Sequence, residues 1–316
     1  MDQATLTRFI KEIGRGKNAA GDLSREDARS LFTAVLSGLV PDLQLGAILI
    51  ALRVKGESLE ELAGFAAASE ASYNHLPALP GSALPVVIPS YNGARQLPNL
   101  VALLALLLAR EDVPVLIHGV MRDPGRVSTR EVLEALSIAP SMSASEARVR
   151  LADSRIAFMP TEVMAPQLAT TLALRAALGL RNSAHTLVKM LQPFAGPAVR
   201  IVSVTHPEYL TRMTQFFTTH DSDALILRGA EGEAVAHPRR EPAIVWAHDG
   251  VSEVWTDESM DARVTPQLPQ NREADTTARW IEAVLEGAIE IPPTIAHQVA
   301  CCKRAVNILS ARRATP

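Results

Sequence analysis

Residues 85–110 are the stretch of the sequence that most restricts the possible folds. They read PVVIPSYNGARQLPNLVALLALLLAR. This is a short apolar run typical of a buried strand, a polar turn at 89–97, and an apolar run that predicts a helix from about Pro98. In α/β proteins a strand, loop and helix in this order can hold a phosphate group on backbone N–H groups. We therefore expect an α/β sheet with a candidate anion-binding loop at this point of the chain.

The turn at 90–95 has an unusual composition for a phosphate-binding loop. Gly93 is its one glycine, whereas such loops normally need several so that the backbone can approach the ligand closely. Tyr91 is bulky, and Arg95 is cationic. The residues leave two interpretations open: an anion site built from backbone amides and Arg95, or a turn between strand and helix without a ligand.

Helical periodicity fills the sequence before this stretch. Apolar residues recur at helical spacing in four segments, which begin near residues 2, 24, 41 and 58. Ser24 and Ser58 are typical N-cap residues for two of them. Prolines and a glycine at 77–85 then mark a boundary. The sequence thus predicts a small all-helical N-terminal domain.

After the boundary, apolar runs of strand length alternate with helical patterns. The expected strands are 86–88, 113–118, 156–159, 199–204 and 224–227, with an antiparallel pair at 243–246 and 253–256. The expected helices include 162–190, with a break near Gly179, and 207–220, 275–286 and 296–311. Such alternation predicts an α/β fold, with a central, mostly parallel sheet covered by helices.

Charge and motifs exclude several classes of protein. The formal net charge of -3 gives no overall attraction to nucleic acid, so such binding would need local basic patches. The two cysteines, Cys301 and Cys302, are adjacent and lack the spacing of a zinc site, which favours a reducing cytoplasm. The longest apolar run, 100–109, is too short to cross a bilayer, so we expect no membrane partner. No GxSxG, HExxH or P-loop motif occurs.

A second candidate anion site follows the strand that ends at His118 and Gly119. Loops at the carboxyl ends of parallel strands are where ligands bind in such sheets. The alternative is a solvated loop with a local pair between Asp123 and Arg126. Three arginines lie within nine residues of this loop: Arg122, Arg126 and Arg130.

Three further segments carry charged residues that we consider as sites for an anion, a metal ion or nucleic acid. Arg181, His185 and Lys189 recur every four residues, which predicts one basic face of a helix. Glu231 and Glu233 follow a strand, but without an Asp-Glu doublet we do not expect a metal site there. Basic residues also cluster near both ends, where they either contact nucleic acid or only solvate a helix. These residues are Arg8, Lys11, Arg15 and Lys17, and Lys303, Arg304, Arg312 and Arg313.

The run at 21–65 resembles the N-terminal helices of the anthranilate phosphoribosyltransferase family, or glycosyltransferase family 3. The segments IKEIGRGKN, VIPSYNGAR, HGVMRDPGRV, RNSAHTLVKML, SVTHPEY and RGAEGEA are similar to those of its divergent YbiB-type branch. The resemblance implies a homodimer joined through the N-terminal helices. It implies a helical domain at 1–76, joined by helices near 165–192, and an α/β domain at 77–164 and 193–316. Catalytic members bind phosphoribosyl pyrophosphate and magnesium.

The sequence departs from the catalytic pattern of that family at the chemically demanding positions. The glycine-rich GTGGD segment falls at 90–94, and KHGN falls at 117–120, which reads IHGV. The family histidine of HPA aligns with Ala165, and the magnesium-binding aspartate–glutamate pair aligns with Ala234 and Val235. We therefore expect a pocket that attracts anions but does not organise a metal–pyrophosphate leaving group. Its expected residues are Ser90, Tyr91, Asn92, Gly93, Arg95, His118, Gly119, Arg126, Arg175 and Arg181.

The YbiB-type branch implies sequence-independent binding of DNA or RNA through backbone phosphates. On this interpretation the protein has no catalytic residues, no cofactor and no metal. The alternative is a phosphoribosyl or pentosyl transferase with an altered acceptor, which would need phosphoribosyl pyrophosphate and magnesium. The expected nucleic-acid contacts are Arg8, Lys11, Arg15, Lys17, Arg181, His185 and Lys189.

Overall fold

The computed structural model of the chain describes residues 1–16, 18–79, 84–220, 222–256 and 266–314, with side chains in this last range up to residue 312. The chain forms two compact units. The helical unit contains residues 1–74 and 161–191, and the α/β unit contains residues 75–160 and the chain from Gln192 onward. Lys17 and the side chain of Arg313 lie outside the described part.

The helical unit begins with four helices that the apolar spacing and the capping residues predict. Ser58 Oγ accepts from Glu61 N at 3.1 Å and Glu61 Oε2 accepts from Ser58 N at 2.7 Å, which is a complete capping box. Phe32 stacks on Phe65 with ring centroids 4.8 Å apart. The helices are α1 (Gln3–Ile13), α2 (Arg25–Leu36), α3 (Asp42–Lys55) and α4 (Leu59–Glu70).

The sequence predicted a helix at 162–190 with a break near Gly179. The break is confirmed, but the rest is wrong, because this part of the helical unit consists of four short helices. Pro166 has no N–H to continue a helix and restricts Ala165, so the first helix ends before it. Gly179, at φ +68°, ends the third. The helices are α8 (Thr161–Met164), α9 (Pro166–Ala173), α10 (Arg175–Leu178) and α11 (Ala184–Leu187).

The α/β unit is built on a seven-stranded sheet in the order β3-β2-β1-β4-β5-β6-β7. The first five of these strands are parallel, and β6 and β7 are antiparallel, as the sequence predicted for the last pair. The strands are β1 (Val86–Ser90), β2 (Val115–Gly119), β3 (Ile156–Pro160), β4 (Val199–Val204), β5 (Ala224–Arg228), β6 (Ile244–His248) and β7 (Val251–Thr256).

Helices cover this sheet and bury a continuous apolar core. Helix α5 is apolar on nearly all sides and lies in that core with strand residues such as Ile88, Ile117 and Trp246. The fold is therefore the expected helical domain plus an α/β domain with a mostly parallel sheet. The helices are α5 (Val101–Arg110), α6 (Thr129–Ala135), α7 (Ala144–Asp153), α12 (Pro207–Thr219), α13 (Ala274–Leu285) and α14 (Pro293–Ala314).

Within the described ranges, no helix combines the length and apolar character needed to cross a membrane.

Candidate functional site

The candidate site lies at the carboxyl end of β1, where the order of strands changes direction. Strand β1 pairs with β2 on one side and with β4 on the other, so the loops that follow these strands diverge and leave a crevice. The loop from β1 to α5, residues 91–100, begins here, and the turn after β5 lies against it. This is the loop that the sequence indicated as a candidate anion site.

The inner half of the loop binds the carboxyl group of Glu233, which is buried. Glu233 Oε1 accepts from the backbone N–H of Asn92 at 2.8 Å and from that of Gly93 at 2.9 Å. Glu233 Oε2 accepts from the hydroxyl of Ser90, whose Oγ is 2.7 Å from Thr129 Oγ1. Gly93 has φ +66°, which a residue with a side chain rarely adopts. The chain thus supplies its own acceptor to these donors.

The outer half of the loop binds Glu231 in the same way. Glu231 Oε2 accepts from the N–H groups of Arg95, Gln96 and Leu97 at 2.8, 3.1 and 3.2 Å, and its Oε1 accepts from Gln96 N at 3.0 Å. The remaining amide, Ala94 N, donates to Val127 O at 2.8 Å. Every backbone N–H from residue 92 to residue 97 therefore has an acceptor within the protein.

The turn that carries both carboxyl groups, residues 229–236, has a backbone conformation suited to this contact. Glu231 has φ +53° and Gly232 has φ +86°, so the chain reverses sharply between the two acidic residues. A Cβ on Gly232 would lie 2.5 Å from Asn92 Nδ2, so a larger residue would push the turn and the loop apart. Asn92 Nδ2 also donates to Gly232 O at 3.2 Å.

Two buried polar side chains anchor this turn to the rest of the α/β unit. Ser203 Oγ donates to Glu233 O at 2.8 Å. On α14, Gln298 accepts from Ala236 N at 2.7 Å and donates to Ala234 O at 3.0 Å. Sequence reasoning assigned no role to Ser203 or Gln298, because both act through backbone atoms that are distant in the sequence.

Two opposing effects act on the pKa of Glu233. Burial is the largest influence and raises the pKa of its carboxyl group. Hydrogen bonds from Ser90, Asn92 and Gly93 and the positive charge of Arg126 lower this pKa and offset part of the effect of burial. Neutral dipoles therefore provide most of the direct stabilisation of this buried group.

Arginines surround the outside of the loop. Arg126 Nη1 donates to Gly93 O at 3.2 Å. Arg272 Nη1 donates to Gly125 O at 3.1 Å and to Arg95 O. Arg95 itself is exposed. We call Arg95, Arg126 and Arg272 the loop arginines; Arg272 carries no sequence signal, since its partners are more than 140 residues away.

Three other residues expected at the second candidate site are buried, packed between strands or paired with a neighbouring carboxylate. His118 is fully buried, and neither ring nitrogen has a hydrogen-bond partner among the described residues. Burial lowers the pKa of His118 to about 3, so this ring is neutral at pH 7 and contacts no surface anion. A Cβ on Gly119 would lie 1.8 Å from Ser90 O, so this glycine permits close strand packing. Arg130 pairs with Glu134 at 2.5 Å.

The expected basic helix face in the helical unit is wrong. Helix α11 spans only Ala184–Leu187, so Arg181 and Lys189 lie outside it. His185 is buried, and burial lowers its pKa to about 3, with Arg181 and Arg175 acting in the same direction. His185 is therefore neutral at pH 7. Arg175 and Arg181 belong to the helical unit, whereas the residues of the β1–α5 loop belong to the α/β unit.

The terminal basic segments differ in how far carboxylates neutralise them. In α1, Arg8 pairs with Asp27 at 3.1 Å and Lys11 is exposed, and just after α1 Arg15 lies 3.6 Å from Glu12. In α14, Lys303, Arg304 and Arg312 each lie within 3.6 Å of a carboxylate. The C-terminal cations are therefore largely paired at the surface of the α/β unit.

Comparison with known proteins identifies the family. Residues 7–72 match the helical bundle domain of the glycosyl transferase family, and residues 93–309 match its α/β domain. The Escherichia coli (strain K12) protein YbiB is 45% identical over 300 residues, which cover 93% of this chain and 92% of YbiB. The chain belongs to glycosyltransferase family 3, in its YbiB-type branch. The resemblance inferred from the sequence is thus confirmed.

Anthranilate phosphoribosyltransferases of this family are also similar. The protein of Leifsonia xyli subsp. xyli is 30% identical over 215 residues, 68% of this chain and 60% of that protein. The structure of the Thermus thermophilus protein matches with a TM-score of 0.72 at 21% identity, covering 98% of this chain and 89% of that one. The Saccharomyces cerevisiae protein in complex with PRPP and Mg matches with a TM-score of 0.73 at 17% identity, covering 97% and 89%. These structures confirm the fold class.

The described residues do not fit the magnesium–pyrophosphate group that catalytic members of the family bind. The amides of residues 92, 93 and 95–97 are already bound to Glu231 and Glu233. Ala234 and Val235, which align with the family's acidic pair, offer no side-chain oxygen to a hard cation. In the described part of the chain, no group of three or more His, Cys, Asp or Glu side chains is arranged to hold a metal ion.

Proposed function

We propose that this protein binds nucleic acid without sequence preference, as a homodimer on an anthranilate phosphoribosyltransferase-like scaffold, and that phosphoribosyl transfer is lost or very weak. One observation carries the proposal. The backbone donors of the β1–α5 loop point inward to Glu231 and Glu233, while cationic side chains such as Arg95 remain at the surface. The loop is thus suited to surface contacts with a polyanion rather than to enclosing a small ligand.

The proposed loss of transfer is supported by the contacts of the loop. A pyrophosphate leaving group needs preorganised donors and a metal ion that neutralise the charge developing on it. Here the donors are used by Glu231 and Glu233, and these two carboxyl groups would repel an incoming pyrophosphate. The remaining side-chain cations attract the anion but do not replace the metal ion that the reaction needs.

Nucleic-acid binding is supported by cations that face solvent. Arg95 and Arg122 are exposed in the α/β unit, and Lys11 and Arg15 are exposed on and just after α1. Each contact with a backbone phosphate is weak, and it carries no sequence information. Several such contacts, repeated in two copies of the chain, act together on one polyanion.

A homodimer through the N-terminal helices is supported by an apolar surface of the helical unit. Leu43 is 87% exposed and Val54 is 54% exposed, although both are large hydrophobic residues. They line one groove with Ile10, Ala47 and Ile50 of α1 and α3. An exposed apolar patch of this kind is typical of a protein–protein interface. Sedimentation analysis of the wild type and of Leu43→Glu would test it, with a dimer expected only for the wild type.

A salt titration tests nucleic-acid binding. Contacts to about four to eight phosphates give a slope of about -4 to -7 for log affinity against log salt. Fluorescence anisotropy with two unrelated DNA duplexes measures this slope and the sequence preference together. Affinity that does not change with salt, or no binding near about 50 mM salt, would contradict the proposal. A saturable heat with phosphoribosyl pyrophosphate and magnesium would instead favour the transferase.

A further inference from the structure

We infer that the β1–α5 loop is a complete oxyanion site, whose resident ligands are the carboxyl groups of Glu233 and Glu231. Removal of either group opens the loop to an inorganic oxyanion such as phosphate. This inference shares with the proposed function only the loss of phosphoribosyl transfer, and it does not depend on nucleic-acid binding.

The donor set is the first support. Five backbone N–H groups and one hydroxyl point at the two carboxyl groups, at distances of 2.8 to 3.2 Å for the N–H groups. Peptide N–H groups that converge in a loop after a strand form concave sites for phosphate and carboxylate alike. The loop has therefore kept its donors, although it has one glycine where several are usual.

The acidic turn is the second support, because its backbone adopts a costly conformation to reach the loop. Glu231 has φ +53°, in the left-handed region that residues with a Cβ rarely occupy. Gly232 approaches Asn92 so closely that a Cβ on Gly232 would lie 2.5 Å from the side-chain nitrogen of Asn92, Nδ2. Such a conformation persists only where its surroundings stabilise it, and the contacts of Glu231 and Glu233 with the loop provide that stabilisation.

Access from solvent is the third support. Glu231 is only partly buried, and it lines a surface pocket of about 360 Å³ with Gln96 and Leu97, two of the residues whose amides it accepts. Arg228 and Arg240 line the same pocket. A small anion can therefore approach the outer half of the loop through this pocket, which Glu241 also lines, and the side chain of Glu231 lies in its way.

The first experiment replaces the inner ligand. Glu233→Ala leaves the amides of Asn92 and Gly93 and the hydroxyl of Ser90 around a space of carboxylate size. We expect about 100 mM inorganic phosphate to raise the melting temperature of this variant by on the order of 3 to 6 °C, relative to sodium chloride of equal ionic strength. Wild type should show only the smaller, general stabilisation that phosphate gives to a folded protein. Glu233→Gln, which fills the same space, is the matched control and should respond only as wild type does.

The second experiment replaces the outer ligand and does not depend on a buried substitution. Glu231→Ala removes a partly exposed carboxyl group and leaves no buried cavity, so the variant should fold, although it loses the contacts of Glu231 with the loop. Isothermal titration with inorganic pyrophosphate should give saturable binding to Glu231→Ala. The titration should give none with wild type or with Glu231→Gln, whose side chain still fills the site.

Two results would overturn the inference. One is binding of phosphate or pyrophosphate to wild type as tight as to the alanine variants, because the carboxyl groups would then exclude nothing. The other is a folded Glu231→Ala or Glu233→Ala variant without any anion response. DNA affinity of the wild type is a separate measurement: its absence would contradict the proposed function and leave the phosphate results unaffected.

Discussion

Two buried glutamates, one in each unit, differ in how the protein stabilises them. In the helical unit, Glu61 accepts from Lys55 Nζ at 2.7 Å and from the N–H groups of Leu23 and Ser58 at 3.0 and 2.7 Å. In the α/β unit, Glu233 accepts only from backbone N–H groups and the Ser90 hydroxyl in the contacts described above. Glu61 is tied to a buried cation, whereas the donors of Glu233 are neutral and suit any oxyanion.

This difference separates a structural ion pair from an exchangeable ligand. The side chain of Lys55 is 5% exposed and that of Glu61 is 0% exposed, so removal of either charge leaves the other with poorer compensation in the interior. Loss of the Glu233 carboxyl group leaves the N–H and hydroxyl dipoles and the positive charge of Arg126, which a dissolved anion can satisfy. The variants below test this comparison, in order of decreasing expected effect.

The largest effect is expected for Glu61→Gln. The substitution keeps the shape of the side chain but removes the negative charge next to Lys55, which then keeps the exposed carboxylate of Asp22 at 2.5 Å. We expect a loss of about 3 kcal/mol in the free energy of unfolding, measured by urea denaturation. Adding Lys55→Met to Glu61→Gln should recover part of this loss. A double variant no more stable than Glu61→Gln would contradict the role given to the charge pair.

The second prediction concerns the pH dependence of stability. His118 is a buried titratable residue for which the described residues provide no hydrogen-bond partner. Its pKa in the folded protein is about 3, below the ordinary value of 6.5, so the neutral form stabilises the fold. This stabilisation is fully present above pH 6.5 and is lost as the pH falls toward 3. Between pH 7 and pH 5, wild type should lose about 2 kcal/mol more than His118→Leu does. His206→Gln, at an exposed histidine, is the control and should follow the wild type.

Glu233→Gln should cost less than Glu61→Gln at pH 7. The amide oxygen of glutamine still accepts from the loop, and its NH₂ group can donate to Ser90 Oγ. We therefore expect a loss of only about 1 to 2 kcal/mol in the free energy of unfolding. Urea denaturation of both glutamine variants under the same conditions gives the comparison directly. Equal losses for the two variants would remove the distinction between their surroundings.

The smallest effect is expected at the surface. Arg95→Ala keeps the backbone contact of residue 95 with Glu231 and removes one guanidinium from the loop arginines. DNA affinity should fall by a similar factor for all sequences, and the salt slope should become less negative by about 1. Arg279→Ala, at an exposed arginine of α13, is the matched control. A larger effect at Arg279 than at Arg95 would place the nucleic-acid surface elsewhere.

Local sequence signals accounted for much of the fold. The apolar runs at β1 and α5 predicted the strand and the helix on either side of the loop, and Ser58 predicted the start of α4. The prediction of a helix at 162–190 with a single break near Gly179 missed the break at Pro166, since helical periodicity outweighed the effect of this proline on the residue before it. The pattern of Arg181 and His185 predicted a basic face, but burial leaves His185 neutral.

The sequence by itself determined the order of the strands, most of the helices, the family, and a loop at the end of β1 with one glycine where several are usual. These properties depend on neighbours in the chain, whose spacing can be read directly. Only the tertiary structure decided what the loop binds, because Glu233 is 141 residues from Asn92 in the sequence. The sheet brings the ends of β1 and β5 together, and the turn after β5 then directs two carboxyl groups onto the loop's N–H groups.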